Sequence, residues 1–258
     1  MTMVERFAGK VALVTGGVSG IGGAVSRRLL LEGATVIAVD ISEQSIDAFR
    51  SENSSKSLDT RTLDVSDSAA VTEAVDAIAS QYGHIDIVFA NAGVVGVGKL
   101  GDISDAEWAR VLSGDGNGVG HCVRAALPYL IKSKGAIVNT ASLSGISGDS
   151  GMSAYDTAKG AVVNMTRSLA IDYGHDGVRV NAVAPGIITT PMAAPILNEH
   201  PEAMDIYAER VPSGRVGQPE EVAAAMLFLG SEDASYINGV ILSVYGGLAA
   251  WSGQPAFF

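Results

Sequence analysis

The chain has very little cysteine and histidine. Cys122 is the single cysteine among 258 residues, so no disulfide can form within the chain. The four histidines are scattered, and none lies near another histidine or cysteine at the spacing that a metal site requires. These absences argue against a disulfide-stapled secreted domain and a zinc or iron centre. They predict a protein of a reducing compartment without a metal.

Basic side chains and long apolar runs are also scarce. Lys and Arg number 17 against 28 Asp and Glu, which gives a formal net charge of −11. A surface of this sign repels nucleic acid and anionic membranes. No window holds 18 uninterrupted apolar residues, and residues 1–10 carry charges without the apolar core of a secretory signal. We therefore expect a soluble, cytoplasmic protein whose partner is a small molecule rather than nucleic acid or a membrane.

Short apolar segments alternate with helical patterns along the chain. The segments are rich in β-branched residues, and most are apolar on both faces, as parallel strands covered by helices must be. The predicted strands are 11–15, 35–39, 61–65, 85–90, 136–141, 178–184 and 240–244, and the predicted helices are 20–32, 67–82, 104–112, 119–132, 154–173 and 219–230. This order predicts an α/β fold, a single domain over 1–258 with a Rossmann-like, doubly wound parallel sheet of about seven strands.

Two segments lie outside this alternation. Residues 186–217 follow a predicted strand, contain several prolines and many apolar residues, and show no helical pattern. We expect 187–213 to form a lid over the substrate, with a packing or oligomer arm as the alternative. The tail 247–258 is apolar and aromatic, which predicts that it packs against a neighbouring subunit.

A glycine-rich turn joins the first predicted strand to the first predicted helix. Its sequence is TGGVSGIGGA, with Gly16, Gly20 and Gly22 in the spacing G-x-x-x-G-x-G. Glycines let the backbone approach a pyrophosphate, and the helix N-terminus presents free N–H groups and a positive dipole. Strand, glycine-rich turn and helix in this order predict a dinucleotide site.

An acidic residue ends the second predicted strand. Asp40 lies 18 residues after Gly22, where a carboxylate accepts hydrogen bonds from the adenosine ribose hydroxyls. The same charge repels a 2′-phosphate, and neither Gly17 nor Ile41 offers a basic side chain to bind one. The sequence therefore favours NAD over NADP.

Tyr155 and Lys159 stand four residues apart at the start of a predicted helix, so both lie on one helix face. A fixed ammonium beside a phenol favours the phenolate form. Such a pair is suited to proton transfer near neutral pH. The spacing alone arises often by chance, and its meaning depends on the rest of the chain.

Five motifs follow one another along the chain. They are the glycine loop at 15–22, then Asn91, Ala92 and Gly93, then Ser142, then Tyr155 with Lys159, and finally Pro185 and Gly186. In this order they resemble the classical short-chain dehydrogenase/reductase family over residues 7–248, in which the serine usually precedes the tyrosine by 13 residues, as Ser142 precedes Tyr155 here.

The resemblance implies a set of residues that bind a nicotinamide cofactor. Asp64 and Val65 would meet the adenine, while Ile188 and Thr190 would reach the nicotinamide carboxamide. The full cofactor set is Gly16, Ser19, Gly20, Ile21, Gly22, Asp40, Ile41, Asp64, Val65, Asn91, Ala92, Gly93, Tyr155, Lys159, Pro185, Gly186, Ile188 and Thr190.

The resemblance also implies catalytic roles. Tyr155 would be the acid/base, Lys159 would favour its phenolate and hold the nicotinamide ribose, and Ser142 would donate to the substrate oxygen. Asn117, in NGVG, matches the N-x-x-G of the family and would complete a water-linked proton relay from the lysine. Glycines at 114, 116, 118 and 120 replace much of the bulkier apolar run that the family has around this asparagine.

The resulting interpretation is an NAD-dependent oxidoreductase that interconverts a secondary alcohol and a ketone. The resemblance further implies a homotetramer. Apolar side chains surround the expected substrate position, with Asp149 the one charge nearby. The expected substrate residues are Ser142, Leu143, Met152, Tyr155 and Met192. A sugar or polyol dehydrogenase and a 3-oxoacyl-thioester reductase are alternatives within the family, and a dinucleotide-binding sensor is the alternative outside enzymes.

Overall fold

Seven parallel strands form one sheet in the computed structural model, which describes residues 5–200 and 202–250. The strands are β1 (Val11–Thr15), β2 (Thr35–Asp40), β3 (Leu58–Thr62), β4 (Ile87–Ala90), β5 (Ala136–Thr140), β6 (Arg179–Pro185) and β7 (Ile241–Val244). Their order across the sheet is β3-β2-β1-β4-β5-β6-β7. The predicted doubly wound parallel sheet is therefore confirmed.

Helices cover both faces of the sheet. They are α1 (Gly20–Leu31), α2 (Glu43–Glu52), α3 (Ser68–Tyr82), α4 (Asp105–Val111), α5 (Gly118–Ser133), α6 (Ser153–Tyr173), α7 (Ala194–Glu199), α8 (Ala203–Arg210) and α9 (Pro219–Gly230). Helices α3, α5 and α6 pack on one face, whereas α1, α2 and α9 pack on the other.

Alternate residues of each central strand enter opposite cores, because side chains of a strand point to the two faces in turn. Leu13 of β1 belongs to the core under α3, α5 and α6, and its neighbour Val14 belongs to the core under α1 and α9. Every residue of β1, β4 and β5 is buried. This two-sided burial is why these strands are apolar throughout and were predictable.

The third strand differs from its prediction. It is Leu58–Thr62 rather than 61–65, and it pairs with β2 at the edge of the sheet. An edge strand is only partly covered, so polar residues such as Asp59 and Arg61 occupy it and weaken the apolar pattern. The correction has a functional consequence, since it leaves Asp64 and Val65 in the loop that follows the strand.

The segment 187–213 is less irregular than expected. It contains two short helices, α7 and α8, in place of a stretch without helical structure. Helix α8 has no buried residue, so packing in the core does not constrain its sequence to a helical pattern. Of the tail 247–258, residues 251–258 lie outside the described part, and residues 247–250 form a turn.

The glycine-rich stretch is helical. Helix α4 continues through a π-helical segment, Leu112–Asn117, directly into α5. The stretch therefore lies inside one long helical rod. A Cβ at Gly118 would lie only 2.7 Å from a methyl carbon of Val65, so glycine allows this rod to approach the loop after β3. Wider turns of this kind occur mostly within α-helices and often at functional sites.

None of the helices formed by residues 5–200 and 202–250 is long and apolar enough to cross a membrane.

Candidate active site

A cavity of about 490 Å³ opens at the carboxyl ends of the strands. It lies between β1 and β4, where the strand order reverses: β1 is followed by β2 on one side, and β4 is followed by β5 on the other. This reversal point is the usual ligand position in a doubly wound sheet. All but two of the predicted site residues line this cavity. The exceptions are Gly22 and Asn117.

The turn after β1 has the backbone that a pyrophosphate site needs. Gly16 and Gly20 have φ values of +59° and +49°, a region that other residues rarely adopt. A Cβ at Gly22 would collide with the carbonyl oxygen of Gly16, so this glycine lets the turn pack on α1 rather than touching a ligand. Ser19 begins α1 without capping it through its side chain, which leaves the first N–H groups of the helix to other acceptors. These residues fit the diphosphate of a dinucleotide.

Asn91 braces the floor of the cavity across three strands. Its backbone N–H donates to Thr15 Oγ1 at 2.9 Å, and its side-chain amide donates to the carbonyl oxygen of Thr15 at 3.1 Å. Its Oδ1 accepts from Thr140 Oγ1 at 3.2 Å. The side chain therefore ties β1, β4 and β5 together, and Ala92 and Gly93 follow it along the cavity wall.

Two acidic side chains lie at the end of the cavity formed by the loops after β2 and β3. One oxygen of Asp40 accepts from the backbone N–H of Ser42 at 3.0 Å, which fixes the carboxylate at the strand end. Asp64 is held in the same way by the N–H of Ser66, at 2.8 Å. Among the described residues that line the cavity, Lys159 carries the one Lys or Arg side chain.

Tyr155 and Lys159 stand on the first turns of α6, on the same face. The ammonium nitrogen of Lys159 lies 5.6 Å from the centroid of the Tyr155 ring, and it donates to the carbonyl oxygen of Thr140 at 3.2 Å. Lys159 is only 3% exposed, whereas Tyr155 is half-buried and opens into the cavity. The predicted spacing thus brings both residues to one wall of the site.

Ser142 lies in the loop after β5 and lines the same cavity. Its Oγ accepts from the backbone N–H of Ser144 at 3.2 Å and donates to Ser144 Oγ at 3.2 Å. Ser144 Oγ in turn donates to Asp149 Oδ2 at 2.6 Å. A chain of two hydroxyls thus connects Ser142 to a carboxylate on the cavity wall. The sequence reasoning missed Ser144, although its place two residues after Ser142 was a usable signal.

The residue beside the buried lysine is Asp115, so the prediction that Asn117 stands there is wrong. Asp115 is fully buried, and its Oδ1 lies 2.7 Å from Lys159 Nζ. Asn117 is exposed and does not line the cavity. Asp115 and Gly118 have the same three-residue separation as the N-x-x-G that was matched at Asn117. Because residue 115 is an aspartate and not an asparagine, a search for N-x-x-G matched Asn117 and passed over Asp115.

The pKa of Lys159 results from two opposed effects. Burial disfavours the ammonium and lowers the pKa, while the neighbouring Asp115 carboxylate, helped by Tyr155, raises it. The attraction prevails, so the pKa of Lys159 lies above its ordinary value. The lysine is therefore a fixed cation near neutral pH.

The fold and the site together define a class of protein, the dinucleotide-dependent oxidoreductases built on a doubly wound sheet. The sequence model of a family described as "Enoyl-(Acyl carrier protein) reductase" matches residues 16–249. The chain belongs to the short-chain dehydrogenase/reductase family. It is an oxidoreductase of the alcohol dehydrogenase and ketone reductase type, and it uses a nicotinamide dinucleotide.

Relatives in this family match almost the whole chain. The meso-2,3-butanediol dehydrogenase of Serratia marcescens is 44% identical over 251 residues, which cover 97% of this chain and 98% of that protein. A 3-oxoacyl-(acyl-carrier-protein) reductase of Thermotoga maritima is 39% identical over 94% of this chain and 99% of its own length. The crystal structure of levodione reductase superposes with a TM-score of 0.90 at 38% identity, covering 95% of this chain and 99% of that one.

Proposed function

We propose that the protein is an NAD-dependent dehydrogenase of small, uncharged secondary alcohols, which it interconverts with ketones. The observation that carries the proposal is a single cavity that combines a dinucleotide turn with Tyr155, Lys159 and Ser142. A tyrosine beside a lysine that is charged near neutral pH is suited to proton transfer, and a serine hydroxyl is suited to hydrogen-bond the substrate oxygen.

The proposed mechanism assigns each side chain one task. Tyr155 takes the proton from the alcohol during oxidation and returns it to the carbonyl oxygen during reduction. Ser142 donates a hydrogen bond to the same oxygen and fixes its position. Lys159 stabilises the phenolate and contacts the cofactor ribose. When bound, the nicotinamide accepts or donates the hydride.

The cofactor end of the cavity supports NAD. Asp40 is fixed by Ser42, and a carboxylate there accepts from the 2′- and 3′-hydroxyls of the ribose. The 2′-phosphate of NADP would meet like charge, and the adjoining Ile41 is 65% exposed without offering a cation.

The variant Asp40→Ala with Ile41→Arg is expected to move the ratio of kcat/KM for NAD to that for NADP by about 10²-fold toward NADP, because a repulsive contact becomes an attractive one. Steady-state kinetics with both cofactors measure the ratio. Glu43→Ala is the matched control, since it removes an exposed acidic side chain three residues further on, outside the cavity. A wild-type preference for NADP would contradict the role given to Asp40.

The substrate end of the cavity supports a small neutral molecule. Leu143, Ile187 and Met192 give it apolar walls, and Asp149 supplies a carboxylate close to Ser142. The described lining offers no free cation to a carboxylate or phosphate, because Lys159 is buried and paired with Asp115. A vicinal diol or hydroxyketone would let its second hydroxyl donate to Asp149, and the similarity to a butanediol dehydrogenase is in line with this.

We expect kcat/KM for a vicinal diol such as 2,3-butanediol to be at least about 10²-fold higher than kcat/KM for a 2-hydroxy acid of similar size, because Asp149 repels a carboxylate. A panel of diols, simple secondary alcohols, polyols and hydroxy acids, followed by NADH absorbance, tests this. The substitution Asp149→Asn should reduce the difference in kcat/KM between the diol and the hydroxy acid. A preference for hydroxy acids would refute the proposed substrate class, and absence of turnover across the panel would favour the sensor alternative.

We further propose that the enzyme is a cytoplasmic homotetramer. The thiol of Cys122 is buried, and burial raises its pKa to about 12, so it stays protonated at neutral pH. A chain whose single cysteine is an unreactive thiol suits a reducing compartment. Large apolar side chains such as Ile171 and Tyr236 are exposed on the isolated chain and are available for subunit contacts.

A further inference from the structure

The Asp115 carboxylate is bound from two directions. Its Oδ1 faces the ammonium of Lys159 at 2.7 Å, and its Oδ2 accepts from the backbone N–H of Val94 at 3.1 Å. One oxygen therefore accepts a hydrogen bond, and the other makes a close ion-pair contact that lacks hydrogen-bond geometry. A carboxylate meets both demands, whereas an amide has one acceptor oxygen and would turn its NH₂ toward one of the two donors.

The surroundings leave room for this pair and little else. A Cβ at Gly93 would collide with Asp115 Oδ1 and would lie 3.3 Å from Lys159 Nζ, so only glycine fits between the loop after β4 and the carboxylate. Both side chains are almost completely buried, at 4% and 1% exposed for the lysine and the aspartate. Water screens their attraction weakly in such a position.

In the part of the chain that the structure describes, few other charged or titratable groups lie near the pair of Lys159 and Asp115. Helix α6 contributes Lys159 and Tyr155, and helix α4 contributes Arg110, whose guanidinium is itself bound by Glu107. The loop after β4 contributes the N–H of Val94, and the end of β5 contributes the carbonyl oxygen of Thr140 to the lysine. The ammonium at the site is thus balanced mainly by one adjacent carboxylate.

We propose that Asp115 is a positioning residue that holds the ammonium of Lys159 in place beside Tyr155. The inference rests on the acid/base role proposed for Tyr155. The same contact keeps the lysine charged to higher pH, since burial alone would favour its neutral form.

The test is the pH profile of kcat/KM for alcohol oxidation in wild type and Asp115→Asn. In the variant Lys159 would stay buried without its partner, so its pKa should fall and the alkaline limb of the profile should move down. We expect this limb to shift by about one pH unit, which lowers the activity of the variant relative to wild type about tenfold at the alkaline end.

Asp105→Asn is the matched control. It removes the same charge from an exposed position in the first turn of α4, on the same helical rod, and should leave the pH profile unmoved. NADH affinity, measured by fluorescence titration, should be the same in Asp105→Asn as in wild type. If Asp115→Asn lowers kcat/KM at every pH without moving the alkaline limb, Asp115 has only a structural role and the proposal is overturned.

A readout without turnover separates this proposal from the proposed function. Lys159 has a raised pKa, so its pairing stabilises the folded protein fully below about pH 10.4 and is lost as pH rises through the folded pKa. The gap in Tm between wild type and Asp115→Asn should therefore shrink as pH rises toward and beyond 10. A gap that stays constant with pH would overturn the pairing, even if no alcohol is oxidised.

Discussion

Replacing Tyr155 with phenylalanine is expected to lower kcat/KM for alcohol oxidation by about 10²- to 10⁴-fold, with little change in NADH affinity or Tm. The Tyr155 ring packs against a small cluster that includes Val111 and Ala158, and phenylalanine keeps those contacts. Only the hydroxyl that exchanges the proton is lost. Steady-state kinetics, fluorescence titration with NADH and thermal unfolding measure the three quantities.

Tyr129→Phe provides the matched control for this loss. The Tyr129 hydroxyl on α5 donates to Asp76 at 2.7 Å on the protein surface, outside the cavity, so its removal should leave kcat/KM unchanged. Activity of Tyr155→Phe close to that of wild type would exclude Tyr155 as the acid/base and would reopen the sensor alternative.

Lys159→Met should lose both activity and stability. The substitution leaves the fully buried carboxylate of Asp115 without its cation, and removal of one partner from a buried ion pair typically costs about 3–5 kcal/mol. The free energy of unfolding from urea titration measures the loss. Lys132→Met, at an exposed position on α5, is the control that should unfold like wild type.

The double variant Lys159→Met/Asp115→Asn distinguishes the two effects. Its amide oxygen still accepts from the N–H of Val94, and no uncompensated charge remains buried. We expect most of the stability to return while activity stays as low as in Lys159→Met. If Lys159→Met alone is as stable as wild type, the ion pair of Lys159 and Asp115 contributes little to the free energy of folding. Recovery of activity in the double variant would contradict a direct role for Lys159.

Much of the fold could be predicted because the sheet is buried on both faces. Burial forces the central strands to be apolar throughout, and capping residues such as Asp67 and Ser104 mark the helix starts that the structure has. The edge strand β3 was predicted three residues too late, and helices α2, α7 and α8 were not predicted. Strand β3 carries polar residues, and α2 and α8 bury few side chains or none, so the core imposes little pattern on them.

The parts of the candidate site that could be predicted are those formed by particular residue types at a fixed spacing in the sequence. Glycines at a βα turn and a tyrosine four residues before a lysine are such signals. Asp115 was missed because its role depends on a contact between distant segments, one from the helical rod and one from α6. A sequence reading that sought an amide at that position found the exposed Asn117 instead.

The π-helical segment Leu112–Asn117 also determines how the long rod can fit its neighbours. An α-helix turns by about 100° per residue, so one additional residue in a turn rotates everything beyond it by about that angle. Before the segment, Trp108 packs toward α6, and beyond it Val119 and Cys122 pack into the core shared with α3. The wide turn thus shifts the helical phase, so that a single rod presents one face to α6 and a different face to the sheet.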